Sequence, residues 1–185
     1  MGSRKVVSID VETTGLDYYR CSILSLGAVV VDLDNKTLGP SFYAEINRKG
    51  FYGEPYALNM NKDLIERISE GNTEYLSNNG NIAMVGEEGE VKEAFKKWYE
   101  DFKEYNVAGK NFGTFDLRFL EPIFGRGFFN HRIIDVGTMY FDPKVDSKVP
   151  NLSECLAKAS LGTIVTHNAL EDAIQVGELI LYKTK

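Results

Sequence analysis

The chain has 185 residues, 43% of them hydrophobic and 26% charged, which is enough to bury a core without disulfides or a partner subunit. This composition excludes a disordered or collagen-like chain. The net charge of -6 argues against a broad phosphate-binding surface, so any nucleic-acid partner must be bound locally.

The cysteines and the N-terminal segment indicate the cellular compartment. Cys21 and Cys155 lie too far apart in sequence to form a disulfide framework or a cysteine zinc site. The first apolar run carries Asp10 and Glu12, so it resembles neither a secretion signal nor a membrane span. We therefore expect a cytoplasmic protein that does not associate with membranes.

Short segments that are apolar and rich in β-branched residues, or that alternate aromatic and small residues, predict five β-strands. They cover residues 6–11, 23–31, 41–46, 107–109 and 133–136. The first three are joined by short connections and predict an antiparallel meander, whereas the later segments alternate with helical patterns. This order predicts an α/β fold in which a mixed sheet is covered by helices, as a single domain over residues 1–185.

Helical spacing of apolar residues predicts the helices. The segments are 58–68, 90–105, 114–124, 151–159 and 168–182. In the second of these helices Trp98 lies on the apolar face and is expected in the core. Residues 71–89 are rich in Gly, Asn and Glu and show little periodicity, which predicts a long loop.

Two carboxylates share one face of the first predicted strand. Residues two apart on a strand point the same way, so Asp10 and Glu12 form an acidic edge opposite Val7, Ile9 and Val11. Taken alone, such a pair is more often a solvated strand face than a site.

A third carboxylate lies on an apolar helix face. Asp116 shares that face with Phe119, Leu120 and Ile123, and a buried carboxylate needs a cation or a hydrogen-bond network to offset its cost. An acid that caps the first turn of the helix is the equally weighted alternative.

The last group lies at the start of the C-terminal helix. Asn168 and Glu171 have the spacing of a capping box, so His167 precedes the helix and Asp172 lies in its first turn. Both side chains can then point into one pocket, although a lone histidine before a helix is more often a surface residue.

Four acids from separate segments suit Mg²⁺ or Mn²⁺, which prefer oxygen ligands and can be bound as a pair around a phosphate. Zinc would favour Cys and additional His. A histidine among such acids could remove a proton from water, which indicates a phosphodiester hydrolase.

Three segments resemble the motifs of the DnaQ-like DEDDh 3′-5′ exonucleases. The segments read SIDVETTGL from Ser8, NFGTFDLRFL from Asn111 and HNALED from His167. Their order and spacing resemble this family over nearly the whole chain. The resemblance implies a ribonuclease H-like fold, with a central five-stranded mixed sheet flanked by helices.

The resemblance also implies a role for each matching position. The metal-binding and catalytic acids would be Asp10, Glu12, Asp116 and Asp172, holding two Mg²⁺ or Mn²⁺ ions, with His167 as the catalytic general base. The pocket for the terminal nucleotide would be lined by Thr13, Thr14 and Leu16, with Phe115 as a stacking partner for a base.

The implied activity is hydrolysis of phosphodiester bonds at single-stranded 3′ ends of DNA or RNA, with release of nucleoside monophosphates. A homodimer and association with a polymerase or repair partner are both compatible with the resemblance. The alternative is a catalytically silent module of the same fold that binds nucleic acid or protein, but the five catalytic positions are intact.

Overall fold

The computed structural model describes residues 4–71 and 75–184. In these residues the elements, in chain order, are β1 (Lys5–Thr13), β2 (Ile23–Asp32), β3 (Thr37–Asn47), α1 (Pro55–Met60), α2 (Lys62–Ser69), β4 (Tyr75–Asn78), β5 (Asn81–Glu87), α3 (Glu88–Tyr99), β6 (Asn106–Gly109), α4 (Asp116–Phe124), β7 (Ile133–Asp135), α5 (Val136–Tyr140), α6 (Leu152–Lys158) and α7 (Ala169–Tyr182). Within the same ranges, no helix is long and apolar enough to cross a membrane.

All seven strands belong to one mixed sheet, in the order β4-β5-β3-β2-β1-β6-β7. The first three strands form the predicted antiparallel meander. On the other side of β1, strands β6 and β7 add in parallel, as expected for segments that alternate with helices. The α/β fold with a mixed sheet and flanking helices is confirmed.

The sheet has seven strands rather than five, and the difference lies within residues 71–89. All five predicted strands form, but the predicted loop contains β4 and β5. All four residues of β4 are exposed. The strand therefore has no buried face, and no alternation of apolar and polar residues marks it in the sequence. In β5 the backbone pairs in parallel with β3, a contact between distant segments that local composition does not encode.

The helices match the predicted segments with shifted ends. The predicted helix 58–68 is divided into α1 and α2 at Asn61, and α3 ends at Tyr99 rather than near residue 105. Trp98 is 6% exposed, so its predicted core position is confirmed. The short helix α5 was not predicted, because it has only five residues.

The two faces of the sheet have different helical covers. Val7, Ile9 and Val11 of β1 belong to the core that includes Phe95 of α3 and Leu120 of α4. The alternate residues of β1 face α7. This helix passes directly over β2, since a Cβ atom on Gly27 would lie 2.2 Å from the backbone carbon of Ala169. The absence of a side chain at Gly27 therefore sets how closely α7 approaches the sheet.

Candidate active site

Asp10 and Glu12 project from β1 towards the side of the sheet that α7 covers. Glu12 is only 6% exposed, and Asp10 is half-buried. In the β1–β2 ladder Asp10 lies opposite Gly27, the residue beneath Ala169. The close contact between α7 and β2 thus brings the helix start beside the two carboxylates, which excludes a solvated strand face.

Asp116 reaches the same end of β1 from the first turn of α4. It is 2% exposed, and one carboxylate oxygen accepts a hydrogen bond from the backbone N–H of Val11 at 3.0 Å. Val11 lies between the two acids of β1. The predicted inward orientation of Asp116 is confirmed, and the hydrogen bond ties α4 to the strand that carries Asp10 and Glu12.

His167 and Asp172 come from the segment that leads into α7. The side chain of Asn168 accepts hydrogen bonds from the backbone N–H groups of Leu170 and Glu171, both at 3.1 Å, and so caps the helix as predicted. Among the described residues, the return hydrogen bond from the backbone N–H of Asn168 to the side chain of Glu171, which would complete the predicted capping box, is not formed. His167 has a left-handed backbone (φ 53°) and is exposed, whereas Asp172 is 5% exposed. One potential ligand atom from each of Glu12, His167 and Asp172 lies within 4.8 Å of the others.

Burial and mutual repulsion disfavour the ionised form of these acids. Removal from water raises the pKa of Glu12 to about 7, and the charges of Asp172 and Asp116 contribute in the same direction. Removal from water also raises the pKa of Asp116 to about 7, against hydrogen bonds from backbone N–H groups. The pKa of Asp10 is raised by burial first and then by Asp116, Glu12 and Asp172.

The positive charge near this cluster is small. Burial raises the pKa of Asp172 to about 6, and His167 opposes that shift. Lys110 similarly lowers the pKa of Asp116. Among the described residues, no basic side chain forms an ion pair with Asp10, Glu12, Asp116 or Asp172. A group of buried acids with only oxygen donors and no paired cation fits hard divalent ions such as Mg²⁺ or Mn²⁺.

Residues 5–182 match the family described as the 3′-5′ exoribonuclease Rv2179c-like domain. The chain belongs to this family. The match covers almost the whole sequence, in agreement with the predicted membership of a 3′-5′ exonuclease family of the DnaQ-like type. None of the curated proteins matches the sequence.

The fold of this chain is similar to that in a solved structure titled "Crystal structure of cell-death related nuclease 4 (CRN-4)". The TM-score is 0.70 at 14% sequence identity, and the match covers 97% of this chain. This chain spans 63% of the length of that nuclease. At this identity the similarity shows the shared fold, in agreement with the predicted ribonuclease H-like architecture.

The last residue of β1 and the loop that follows it hold three of the four predicted substrate contacts. The hydroxyl of Thr13 donates to the carbonyl of Gly15 at 2.8 Å, and that of fully buried Thr14 donates to the carbonyl of Tyr52 at 2.7 Å. Both hydroxyls are engaged within the protein, whereas the side chain of Leu16 is 73% exposed. Of the three side chains, that of Leu16 is therefore the accessible one.

The fourth predicted contact, Phe115, lies beside Asp116 and is half-buried. Its ring packs against Phe119 of α4, with centroids 5.2 Å apart and an interplanar angle of 58°. The ring is therefore held in place by α4 next to the acids. Stacking of Phe115 on a base stays a prediction.

Asn61 is a residue of the site that the sequence analysis did not single out. It is 3% exposed, and its side-chain amide donates to the carbonyl of Thr13 at 3.2 Å. A hydrogen bond from Asn61 also opposes the rise in the pKa of Glu12. Asn61 thus connects the break between α1 and α2 to the acidic end of β1. Its isolated position in the sequence carries no signal of this role.

Proposed function

We propose that this exonuclease removes nucleoside monophosphates from the 3′ end of single-stranded RNA, using two Mg²⁺ or Mn²⁺ ions. The metal-binding acids are Asp10, Glu12, Asp116 and Asp172, and His167 is the general base. The observation that carries the proposal is the meeting of β1, α4 and the start of α7 at one acidic cluster, where Glu12, His167 and Asp172 present atoms within 4.8 Å of one another.

The four acids have a common task in this proposal. Their pKa values are raised because burial and the neighbouring carboxylates both disfavour the ionised forms. Divalent cations bound at the cluster would offset this negative charge and stabilise the ionised carboxylates. When bound, the ions polarise the phosphate, lower the pKa of water and offset negative charge on the attacking and leaving oxygens. The protein supplies the fixed positions of the carboxylates through the β1 register and the Val11 to Asp116 hydrogen bond.

His167 has a different task from the acids. Its ring is exposed at the mouth of the cluster, so an attacking water can reach it from solvent. The neighbouring carboxylate of Asp172 stabilises the imidazolium that forms when the histidine accepts a proton from that water. The hydrogen bonds from Leu170 and Glu171 to the side chain of Asn168 fix the start of α7. They therefore hold His167 and Asp172 in a fixed position relative to each other.

RNA is favoured as the substrate because the matched family is described as exoribonuclease. A single-stranded end is favoured over a long duplex, because a chain of net charge -6 does not provide the many basic phosphate contacts that bind a duplex. Binding would instead combine the metal ions with local contacts at the loop after β1 and at Phe115. The protein would act in the cytoplasm as one domain.

A time course with 5′-labelled oligomers of RNA and DNA, in Mg²⁺, Mn²⁺ or excess EDTA, tests this proposal. The expected result is a ladder of shortened RNA products that keep the 5′ label and appear only with a divalent ion. Asp172→Asn should abolish the ladder, whereas Glu178→Gln, an exposed acid on the same helix, should leave it intact. Activity in excess EDTA, or an equally active Asp172→Asn variant, would contradict the proposal.

A further inference from the structure

An aromatic and basic surface lies beside the loop that connects β1 to β2. Its members are Tyr18, Tyr19, Arg118, Glu121, Pro122 and Arg126, which line an open cleft of about 440 Å³. We call it the tyrosine–arginine surface. We propose that it binds the bases and phosphates of the single strand upstream of the 3′ end being cleaved. This inference rests on the proposed function and extends it to substrate length.

The two tyrosines have the arrangement of a stacking platform. Their ring centroids are 4.1 Å apart, and Tyr19 is 83% exposed, so one ring remains accessible. Tyr18 is fixed from below by Phe119, at 6.4 Å and nearly perpendicular. An exposed tyrosine supported by a second ring offers a flat apolar surface that any base can cover, which makes it tolerant of sequence.

The arginines of this surface are available for phosphate. The guanidinium of Arg118 lies 5.5 Å from the centre of the Tyr18 ring. In the part of the chain that the structure describes, neither Arg118 nor Arg126 forms an ion pair with a carboxylate. Arg126 is exposed between Gly125 and Gly127, both with positive φ, in the turn that ends α4. The net charge of the chain is -6, so two arginines without an ion pair are a local concentration of positive charge. Together with the exposed ring of Tyr19, they favour binding of a ligand that carries both phosphates and aromatic bases.

The tyrosine–arginine surface is continuous with the acidic cluster. Tyr18 follows Glu12 by six residues, so the two can be at most about 20 Å apart. From the other side, Asp116 begins the helix that carries Arg118, and Phe115, Phe119 and Tyr18 form a row of contacting rings. Exposed Leu16 lies between the two regions along the chain. A strand whose 3′ end lies at the acids can therefore extend across this surface within a few nucleotides.

Fluorescence anisotropy with a labelled 12-mer RNA in EDTA tests binding separately from hydrolysis. Tyr19→Ala should weaken binding about 5- to 150-fold, which corresponds to one stacked base, and Tyr19→Phe should retain most of the affinity. The double variant Arg118→Gln/Arg126→Gln should reduce the slope of log affinity against log salt by about 1.4, or about 0.7 for each lost phosphate contact on a single strand.

Two control variants lie away from the surface. Tyr75→Ala removes an exposed tyrosine at the β4 edge of the sheet, and Lys36→Gln removes a cation from the β2–β3 turn, at the opposite end of β1 from Glu12. Both should bind the 12-mer as the wild type does. Equal losses in the controls, unchanged binding in both surface variants, or no binding by the wild type in EDTA would each overturn the inference.

Kinetics with Mn²⁺ separate this inference from the proposed function. The surface variants should hydrolyse a dinucleotide with unchanged kcat/KM, because it occupies only the acidic cluster, and should show a raised KM on the 12-mer. A wild-type protein that hydrolyses neither substrate would refute the proposed function, while its binding in EDTA would still decide the inference. Equal loss of kcat/KM on both substrates would refute the inference alone.

Discussion

The substitution Gly27→Ala is expected to displace the start of α7 from the sheet. The added Cβ atom would lie 2.2 Å from the carbonyl carbon of Ala169 and 2.3 Å from the backbone nitrogen of Leu170, and real Cβ atoms essentially never approach closer than 3.0 Å. Because these contacts are to backbone atoms, no side chain can rotate away. The start of α7 must retreat by at least 0.8 Å, the difference between 3.0 and 2.2 Å.

This displacement has consequences for both stability and activity. Overpacking of this kind costs about 1 to 3 kcal/mol. For a chain of this size, each kcal/mol lowers the melting temperature by about 2 to 4 °C. The same movement carries His167 and Asp172 away from Glu12, and a misplacement of about 1 Å in a catalytic group can reduce the rate about 10²-fold. We therefore expect a folded protein with a far greater loss of activity than of stability.

Thermal melting and initial rates on a short RNA measure the two effects, with Gly39→Ala as the matched control. Gly39 lies in the same sheet, but its added Cβ atom would meet Val30 at 3.5 Å, an ordinary contact. The control should keep the melting temperature within a few degrees and retain full activity. If Gly27→Ala behaves like Gly39→Ala in both assays, the close contact between α7 and β2 does not position the site.

Three further predictions concern the acidic cluster and its histidine. Millimolar Mg²⁺ or Mn²⁺ should raise the melting temperature relative to EDTA, because ions that bind only the folded protein stabilise it. An ion concentration of 100 times Kd adds about 2.7 kcal/mol to the free energy of unfolding. This increase in melting temperature should vanish in Asp116→Asn. In EDTA the melting temperature should fall as pH rises from about 4 to 7. The pKa values of Glu12 and Asp116 are both about 7 in the folded protein and exceed those of the unfolded chain. The folded state therefore binds more protons than the unfolded state between these pH values, and it loses stability as the protons are removed. A melting temperature in EDTA that is constant or rises over that range would contradict the electrostatic account. His167→Ala should lower the rate about 10²- to 10⁴-fold and leave the metal-induced shift in melting temperature intact, whereas His131→Ala, which replaces the only other histidine, should be fully active.

The sequence by itself identified most of the elements and the residues of the candidate site. The five predicted strands are short segments of β-branched, aromatic or small residues, and the helices show 3.6-residue periodicity, so local patterns were sufficient to find them. The position of Asp116 on an apolar helix face and the cap at Asn168 could also be predicted, because both depend on residues within one or two turns. The three motifs then led to the family through their order along the chain.

Only the tertiary structure decided how these parts meet. Strand β5 depends on pairing with β3, an interaction between segments more than 30 residues apart, which local composition does not record, and β4 depends in turn on β5. The same holds for Asn61, whose hydrogen bond reaches Thr13 at the end of β1. The raised pKa values of the acids arise from burial and from each other's charges, and both exist only when β1, α4 and α7 are packed together. Periodicity in the sequence indicates which face of a helix or strand is buried. The distance between two packed elements is set by the side chains between them, and for α7 and β2 it is set by the absence of a side chain at Gly27.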